Sequence, residues 1–241
     1  MARKRRSHNH GRRLIGLAAF VVIAVCLFKL LSNPAHQPVL SNLSVVRWTP
    51  VIDAGHGGED GGAVSPEGDH ESALNLAIAQ KAELILRFYG IAPVMTRTED
   101  VSIHDASAKT LSEKKNSDLR NRVKLVNATE NAVLLSIHQN TFEQSQYFGA
   151  QALYNKNTGS RALAEQMQDV ICGRLDPSNT RKARQIEDTI ILMRDVNCPA
   201  VLLECGFLTN AAELRKLKSD EYQTAMAAAA VSSFLTWAAA S

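Results

Sequence analysis

Apolar runs and amphipathic stretches alternate along most of the chain. Short runs rich in branched side chains, typical of buried strands, lie around Ile52 and at 91–95, 131–138, 149–154, 190–193 and 199–204. Apolar residues at helical spacing predict a helix from Glu71 that Gly90 ends, and further helices over 118–127, 159–175, 211–218 and 222–239. This alternation predicts an α/β fold: a single, mostly parallel sheet covered by helices on both faces.

The connections between these elements are polar. Residues 101–117 form a long polar insertion for which we expect only partial helix, and whether it gates a site is open on the sequence alone. Ser160 is a candidate N-cap, because a serine hydroxyl can accept hydrogen bonds from the first turn of a helix. Pro199 is compatible with its predicted strand only at the first position, since proline has no N–H to donate.

One stretch, residues 14–31, is apolar except for Lys29. About 18 residues at 1.5 Å each span about 27 Å, close to the hydrocarbon core of a bilayer. The tail before it, residues 1–13, holds six basic and no acidic residues, which predicts a cytoplasmic N-terminus and an extracytoplasmic body. We expect a transmembrane anchor. A cleaved signal sequence is the main alternative, and a buried helix would leave the flanking charges unexplained.

The rest of the chain divides into a linker and one body. Residues 32–47 contain two prolines and two asparagines and predict a linker, which leaves residues 48–241 as a catalytic domain of ordinary size. Beyond the basic tail, 21 basic residues face 24 acidic ones, a net charge of −3. A mildly acidic body is unsuited to neutralising phosphates, so we expect no nucleic-acid partner.

Three cysteines lie in the body, at positions 172, 198 and 205. They lack the paired CxxC spacing of a cysteine zinc site. We expect small buried apolar residues, at least one of which is a free thiol because the number is odd.

The stretch VIDAGHGG, residues 51–58, ends an apolar strand in a glycine-rich turn that carries His56. Such a turn delivers a polar side chain to the edge of the sheet, where α/β folds keep their chemistry. His138 follows a second apolar run, Glu204 a third, and Glu71 opens a helix. Parallel strands place their carboxyl ends and the following helix N-termini at one edge, so these four side chains are predicted to meet.

Two histidines and one carboxylate are a known zinc ligand set that leaves a fourth position for water. We therefore predict that His56, Glu71 and His138 bind Zn²⁺ and that Glu204 is the catalytic base, since a carboxylate after four apolar residues is costly unless it has a role or a partner. Each residue also has an ordinary alternative: a structural histidine, or a first-turn carboxylate favoured by the helix dipole. His70 is a rival ligand, and His104 is expected to be a loop residue.

Four segments carry a resemblance to a known family. VIDAGHGGEDGG, the glutamate before SALNLAIA, LLSIHQN and LLECGFLTN together resemble the zinc-dependent N-acetylmuramoyl-L-alanine amidases of the type 3 family, from about Val51 to Trp237. In that family the residues matching His56, Glu71 and His138 bind zinc, and the residue matching Glu204 is catalytic. The resemblance implies cleavage of peptidoglycan between muramic acid and the L-alanine of the stem peptide.

Other stretches, including QSQYFGAQ and LDPSNTRKA, resemble a sporulation and germination member of the family. That likeness implies a role in making muramic-δ-lactam in spore cortex, in sequence with a muramic acid deacetylase, in the forespore intermembrane space. In some relatives a lipoprotein partner supports zinc loading. The family often has a lysine after the ligand glutamate, where this chain has Ser72.

Three further residues, Arg97, Gln139 and Asn140, follow predicted strand ends and are candidates for holding substrate or orienting Glu204. Two alternative functions remain open on the sequence alone. One is an inactive amidase fold that only binds peptidoglycan, and the other is a different zinc hydrolase, such as a cell-wall carboxypeptidase.

Overall fold

The computed structural model describes residues 47–241. Its strands are β1 (Thr49–Ala54), β2 (Val94–Met95), β3 (Ala132–Asn140), β4 (Gln151–Tyr154), β5 (Arg184–Gln185) and β6 (Ala200–Phe207). Its α-helices are α1 (Glu71–Phe88), α2 (Leu111–Ala128), α3 (Ser160–Val170), α4 (Ile191–Asp195), α5 (Ala211–Lys218) and α6 (Asp220–Ala240). A π-helical turn, Ile171–Leu175, continues α3.

The six strands form one sheet in the order β2-β1-β3-β6-β4-β5. Every neighbouring pair is parallel except β4 with β6, which is antiparallel. The mostly parallel sheet predicted from the sequence is confirmed. The carboxyl ends of β1, β3 and β6 share one edge, and β4 starts at that same edge because it runs in the opposite direction.

Alternate residues of the central strands face two separate cores. Ile52, Leu135 and Leu203 belong to the core beneath α1, α3, α5 and α6, whereas Leu134 and Leu202 belong to the core beneath α2 and α4. Both faces of the sheet are therefore covered, as parallel sheets require. The same alternation decides which polar residues near the carboxyl edge share a face.

The second helix begins earlier than the sequence pattern suggested. The apolar spacing predicts a helix from Asp118 with only partial helix before it, and α2 starts at Leu111. Thr110 and Glu113 form a capping box: the Glu113 N–H donates to Thr110 Oγ1 at 3.2 Å, and the Thr110 N–H donates to Glu113 Oε2 at 2.9 Å. Residues 111–117 of the polar insertion are therefore an exposed, well-capped helical start, as the expected partial helix requires.

Two other local predictions are wrong. The run 190–193 is the start of helix α4 rather than a strand, because a four-residue apolar run carries no usable periodicity. Ser160 is not an N-cap. The cap of α3 is Gly159, while the Ser160 hydroxyl donates to Asn155 Oδ1 at 2.6 Å and accepts from the Ala200 N–H at 3.0 Å, joining α3 to β6.

Several strand bounds also differ. Strands β2 and β4 are shorter than the predicted ranges of 91–95 and 149–154. Strands β3 and β6 continue beyond their predicted last residues, to Asn140 and Phe207 respectively. Glu204 therefore lies within β6, paired with neighbours on both sides, and does not follow the end of the strand.

The predicted cytoplasmic tail (1–13), membrane segment (14–31) and nearly all of the linker (32–47) lie outside the described residues. Within residues 47–241, no helix is both long enough and apolar enough to cross a bilayer. The three cysteines of the body are free, and Cys205 is buried.

Candidate metal centre and buried carboxylate

His56 sits in a turn that two buried arginines hold in place. Its backbone adopts φ 61°, the left-handed region that a non-glycine residue enters only when its surroundings impose it. Arg122 Nη2 donates to the His56 carbonyl at 2.7 Å, and Arg97 donates to the carbonyls of Ala54 and Gly55 at 2.9 and 3.0 Å. The turn is therefore fixed by donors that reach it from distant parts of the chain.

Arg97 also reaches the helix that carries the carboxylate ligand candidate. Its Nη2 donates to the Ser72 carbonyl at 2.8 Å, and its Nη1 donates to the Glu99 carbonyl at 3.0 Å. The side chain is fully buried. The guanidinium thus joins the turn of His56 to the first turn of α1.

Glu71 lies between the two histidines. Its Oε2 is 3.2 Å from His56 Nε2, and its Oε1 is 3.0 Å from His138 Nδ1. One ligand atom from each of the three residues lies within 4.8 Å of the others. The structure therefore brings His56, Glu71 and His138, which are spread over more than 80 positions of the chain, into one small cluster.

The Glu71 carboxylate is oriented by neighbouring donors. Oε2 accepts from the Ala63 N–H at 3.0 Å, and Oε1 accepts from the Gln139 N–H at 3.0 Å and from Asn75 Nδ2 at 3.2 Å. Asn75 Nδ2 also donates to the Gly55 carbonyl at 3.1 Å. These bonds hold the carboxylate toward the histidines.

The two imidazoles meet edge to face, with ring centroids 5.1 Å apart. The His138 ring packs so closely on Gly55 that a Cβ built there would lie 2.2 Å from His138 Cε1. The absence of a side chain at position 55 is thus what lets His138 approach. With its Nδ1 toward Glu71, the ring has its Nε2 side against the backbone of Gly55.

The donor set fits zinc. Two imidazole nitrogens and one carboxylate oxygen, converging from a turn, a helix start and a strand, leave room for a fourth ligand. His56 Nδ1 lies 2.9 Å from Asp60 Oδ2, the carboxylate–imidazole arrangement that commonly orients a metal-binding histidine. Asp60 is in turn paired through Oδ1 with Lys115 Nζ at 2.8 Å.

The Glu71 carboxylate carries a negative charge at the centre of the cluster. Burial disfavours the charged form of Glu71, but hydrogen bonds with His138 and His56 outweigh it and hold the pKa of Glu71 well below its ordinary value. Burial likewise lowers the pKa of His56, but hydrogen bonds with Glu71 and Asp60 raise it to about 9. A buried carboxylate flanked by two imidazole nitrogens is a donor set that suits a cation.

Glu204 lies beside the cluster on the neighbouring strand. His138 of β3 is its partner in the parallel register, so both side chains project from the same face of the sheet. Glu204 Oε2 is buried and has no hydrogen-bond partner among the described residues. Burial raises the pKa of Glu204; the two histidines oppose this rise and Glu71 reinforces it. A buried carboxyl group without a fixed proton partner is suited to exchanging a proton.

The remaining sequence candidates lie around this group. Gln139 is buried and donates through Nε2 to Asn75 Oδ1 at 3.1 Å, so it supports Glu71. Asn140 is half-buried, and its carbonyl accepts from the Leu208 N–H at 2.9 Å. His70, the rival ligand, is an exposed N-cap of α1 outside the cluster, and His104 bonds to Ser102 Oγ at 2.9 Å on the loop before α2.

Sequence reasoning missed three residues that shape the site: Asp60, Asn75 and Arg122. Asp60 and Asn75 carried a local signal, because each stands four residues from a ligand candidate. Arg122 carried none, since it lies on a distant helix.

Comparison with known proteins identifies the family of the chain. The sequence model of the N-acetylmuramoyl-L-alanine amidase family, Amidase_3, matches residues 51–235. Among curated proteins, the chain is 37% identical over 177 residues to the germination-specific N-acetylmuramoyl-L-alanine amidase of Bacillus subtilis, covering 73% of each chain. It is 30% identical to the amidase LytC of the same species, covering 88% of this chain and 40% of LytC.

Solved structures show the same fold. The CwlD amidase from Clostridioides difficile, in complex with the GerS lipoprotein, superposes with a TM-score of 0.77 at 34% identity, over 80% of this chain and 100% of that one. The amidase AmiC2 of Nostoc punctiforme superposes with a TM-score of 0.68 at 28% identity, over 79% of this chain and 97% of that one.

Proposed function

The chain belongs to the N-acetylmuramoyl-L-alanine amidase family, and we propose that it cuts the muramoyl–L-alanine bond of peptidoglycan with a zinc ion held by His56, Glu71 and His138. One observation carries the proposal: three ligand atoms lie within 4.8 Å of one another, beside a buried carboxyl oxygen that lacks a partner. Zinc bound there would supply Lewis-acid polarisation of the lactyl carbonyl and would lower the pKa of a water molecule.

The proton transfers belong to Glu204. Its carboxylate takes a proton from the attacking water at Oε2 and delivers it to the alanine nitrogen as the C–N bond breaks. The products are a free lactyl carboxylate and a free stem-peptide amine. Burial favours the protonated form of Glu204, so the group can hold the proton between the two transfers.

The supporting residues divide by what they touch. Arg97 and Gln139 position the ligands, because Arg97 donates to carbonyls of the His56 turn and Gln139 bonds to Glu71 and Asn75. Asn140 ends β3 at the open edge of the sheet and remains our candidate for a direct contact with substrate.

The biological setting follows from the relatives. Likeness to a germination-specific amidase of Bacillus subtilis and to CwlD supports a role in spore cortex, where removal of the stem peptide precedes deacetylation and formation of muramic-δ-lactam. The solved CwlD complex with the GerS lipoprotein supports a lipoprotein activator for this chain too. We propose that the catalytic domain, residues 48–241, lies outside the cytoplasm. The basic tail, 1–13, precedes the apolar segment 14–31, which anchors the protein in the membrane or directs its secretion. The linker, 32–47, joins that segment to the domain.

The test is the Glu204→Ala variant on purified peptidoglycan, with released muropeptides identified by mass spectrometry. We expect the wild type to free lactyl carboxylates and the variant to bind zinc without turnover. Turnover by the zinc-loaded variant would remove Glu204 from its role. Metal analysis of the wild type separates an enzyme from an inactive binding module, and products without a new lactyl carboxylate would indicate a carboxypeptidase.

A further inference from the structure

Three polar residues form a row across adjacent strands next to the metal cluster. Glu204 of β6 is in register with His138 of β3 on one side and with Gln151 of β4 on the other. Residues in register share a face, and adjacent strands lie about 4.8 Å apart. Gln151 is therefore the neighbour of Glu204 on the side away from His138.

Gln151 leads to an arginine. Arg181 Nη2 donates to Gln151 Oε1, the one hydrogen bond its guanidinium makes to the described residues, and Gln151 Nε2 donates to the Lys182 carbonyl at 2.8 Å. The Arg181 guanidinium carbon lies 5.1 Å from the centre of the Phe207 ring, over its face. Bonding at one end and stacking on the ring together fix the plane of the guanidinium.

The other N–H groups of this guanidinium donate no hydrogen bond to the described residues. Arg181 Nε is buried and has no hydrogen-bond partner among residues 47–241. A buried donor without an acceptor is costly and needs an explanation, and a bound ligand that supplies the acceptor is one. Burial and the nearby Arg184 lower the pKa of Arg181, whereas Glu204 and Glu213 oppose this shift. A carboxylate arriving at Arg181 would relieve both the missing bond and the unfavourable charge.

On the basis of the proposed function, we infer that Arg181 is a specificity residue that binds a carboxylate of the stem peptide on the leaving-group side of the cut bond. Two strand spacings separate His138 from Gln151, about 10 Å, which an extended peptide crosses in about three residues. The recognised group is therefore an acidic residue within the first three of the stem peptide. A planar guanidinium fits a carboxylate better than it fits a neutral amide.

The experiment compares two substrates that differ only in whether that residue carries a carboxylate or a carboxamide. We expect the wild type to favour the carboxylate substrate by about tenfold in kcat/KM, the size of a charge-assisted hydrogen bond. Arg181→Gln should abolish the preference by slowing the acidic substrate alone. Arg184→Gln, a matched loss of charge on an exposed neighbour, should keep the preference.

Other outcomes are equally clear. Equal slowing of both substrates by Arg181→Gln would mean that Arg181 only supports Gln151 and Phe207, and would overturn the inference. So would a wild type with no preference, although the amidase function would stand. A wild type that cuts neither substrate would overturn the proposed function itself. If Arg181→Gln does not fold, Arg181→Lys serves instead: it keeps the cation and should retain part of the preference.

Discussion

Arg122 Nη1 donates to Asp53 Oδ1 at 2.6 Å, although the two residues are 69 positions apart. Both side chains are about 1% exposed. The same guanidinium donates to the carbonyls of Ala54 and His56, each at 2.7 Å, and pairs with Asp118 at 2.7 Å. This buried ion pair therefore ties α2 to the end of β1 and to the turn that presents His56.

Loss of the arginine should be severe. In Arg122→Met, Asp53 stays buried without its cation and the His56 turn loses a donor, which we expect to cost about 3–5 kcal/mol of the free energy of unfolding. Urea denaturation measures this change. The control is Arg120→Met on the exposed side of the same helix, for which we expect a change within about 0.5 kcal/mol. Equal effects of the two variants would contradict the structural role of the pair.

The same pair predicts a response to acid. Burial alone would raise the pKa of Asp53, but Arg122 and the hydroxyls of Ser136 and Thr96 lower it to about 2. Because the folded pKa lies below the unfolded one, ionised Asp53 stabilises the fold above about pH 4, and that stability is lost as the pH falls toward 2. We expect this group to contribute about 2 kcal/mol to the acid loss of stability. Asp53→Asn should show a shallower slope between pH 4 and 2 when unfolding is followed by circular dichroism.

A methyl group at Gly55 should disturb the metal centre directly. Gly55→Ala would place a Cβ 2.2 Å from His138 Cε1, so the ring must leave its present position in the cluster. We expect zinc affinity to fall by about tenfold or more, and stability to fall by about 1–3 kcal/mol from overpacking. Competition with a chromophoric chelator measures the affinity. Gly173→Ala, where a Cβ meets nothing within 4 Å, is the control and should leave zinc affinity unchanged.

The sequence was informative where local patterns decide structure. Helix α5 spans Ala211–Lys218 as predicted, because Asn210 caps it through the N–H groups of Ala212 and Glu213 and its apolar face is regular. The meeting of His56, Glu71 and His138 was also foreseeable, since parallel strands bring their carboxyl ends to one edge. A short run such as 190–193 gave no such guidance, because four consecutive apolar residues are compatible with a buried strand and with a buried helical turn.

The residues that hold the site in place could not be predicted from the sequence, for a different reason. Arg122 and Arg97 act through carbonyl groups more than 40 positions away, so no local pattern indicates their targets. The position of Glu204 within β6 depended on pairing with β4, which runs antiparallel to β6. Long-range register and buried polar networks are properties of the assembled fold.

Asp60 should tune the metal centre through His56. Its Oδ2 lies 2.9 Å from His56 Nδ1, and its Oδ1 pairs with Lys115 of α2 at 2.8 Å. We expect Asp60→Ala to lower zinc affinity by about 10–100-fold and Lys115→Met to lower it by less. Lys114→Met is the matched control, since Lys114 pairs with Glu59 instead. An effect of Lys115 but not of Lys114, measured by zinc titration, would show that the start of α2 supports the centre.

The last prediction contrasts two buried carboxyl groups. Glu204 Oε2 lacks a partner, whereas Glu213 Oε2 accepts from the N–H groups of Phe207 and Gly149 at 2.9 and 3.0 Å. In zinc-free protein at pH 7, Glu204→Gln should therefore stabilise the fold by about 1 kcal/mol, because burial disfavours the ionised form that Glu204 adopts in the unfolded chain and a neutral amide has no such penalty. Glu213→Gln should destabilise it by about 1–3 kcal/mol, because it disturbs the two hydrogen bonds that hold the backbone at Phe207 and Gly149.

Thermal unfolding of both variants with and without zinc completes the test. The cation offsets the charge of Glu204, so the advantage of Glu204→Gln should shrink when zinc is added, while its turnover falls by about 10²–10⁴-fold. The cost of Glu213→Gln should not depend on zinc, since its partners lie in the backbone of β6 and the segment before β4. If Glu204→Gln destabilised the zinc-free protein as Glu213→Gln does, the carboxyl group would be a structural anchor, and the catalytic assignment would lose its physical basis.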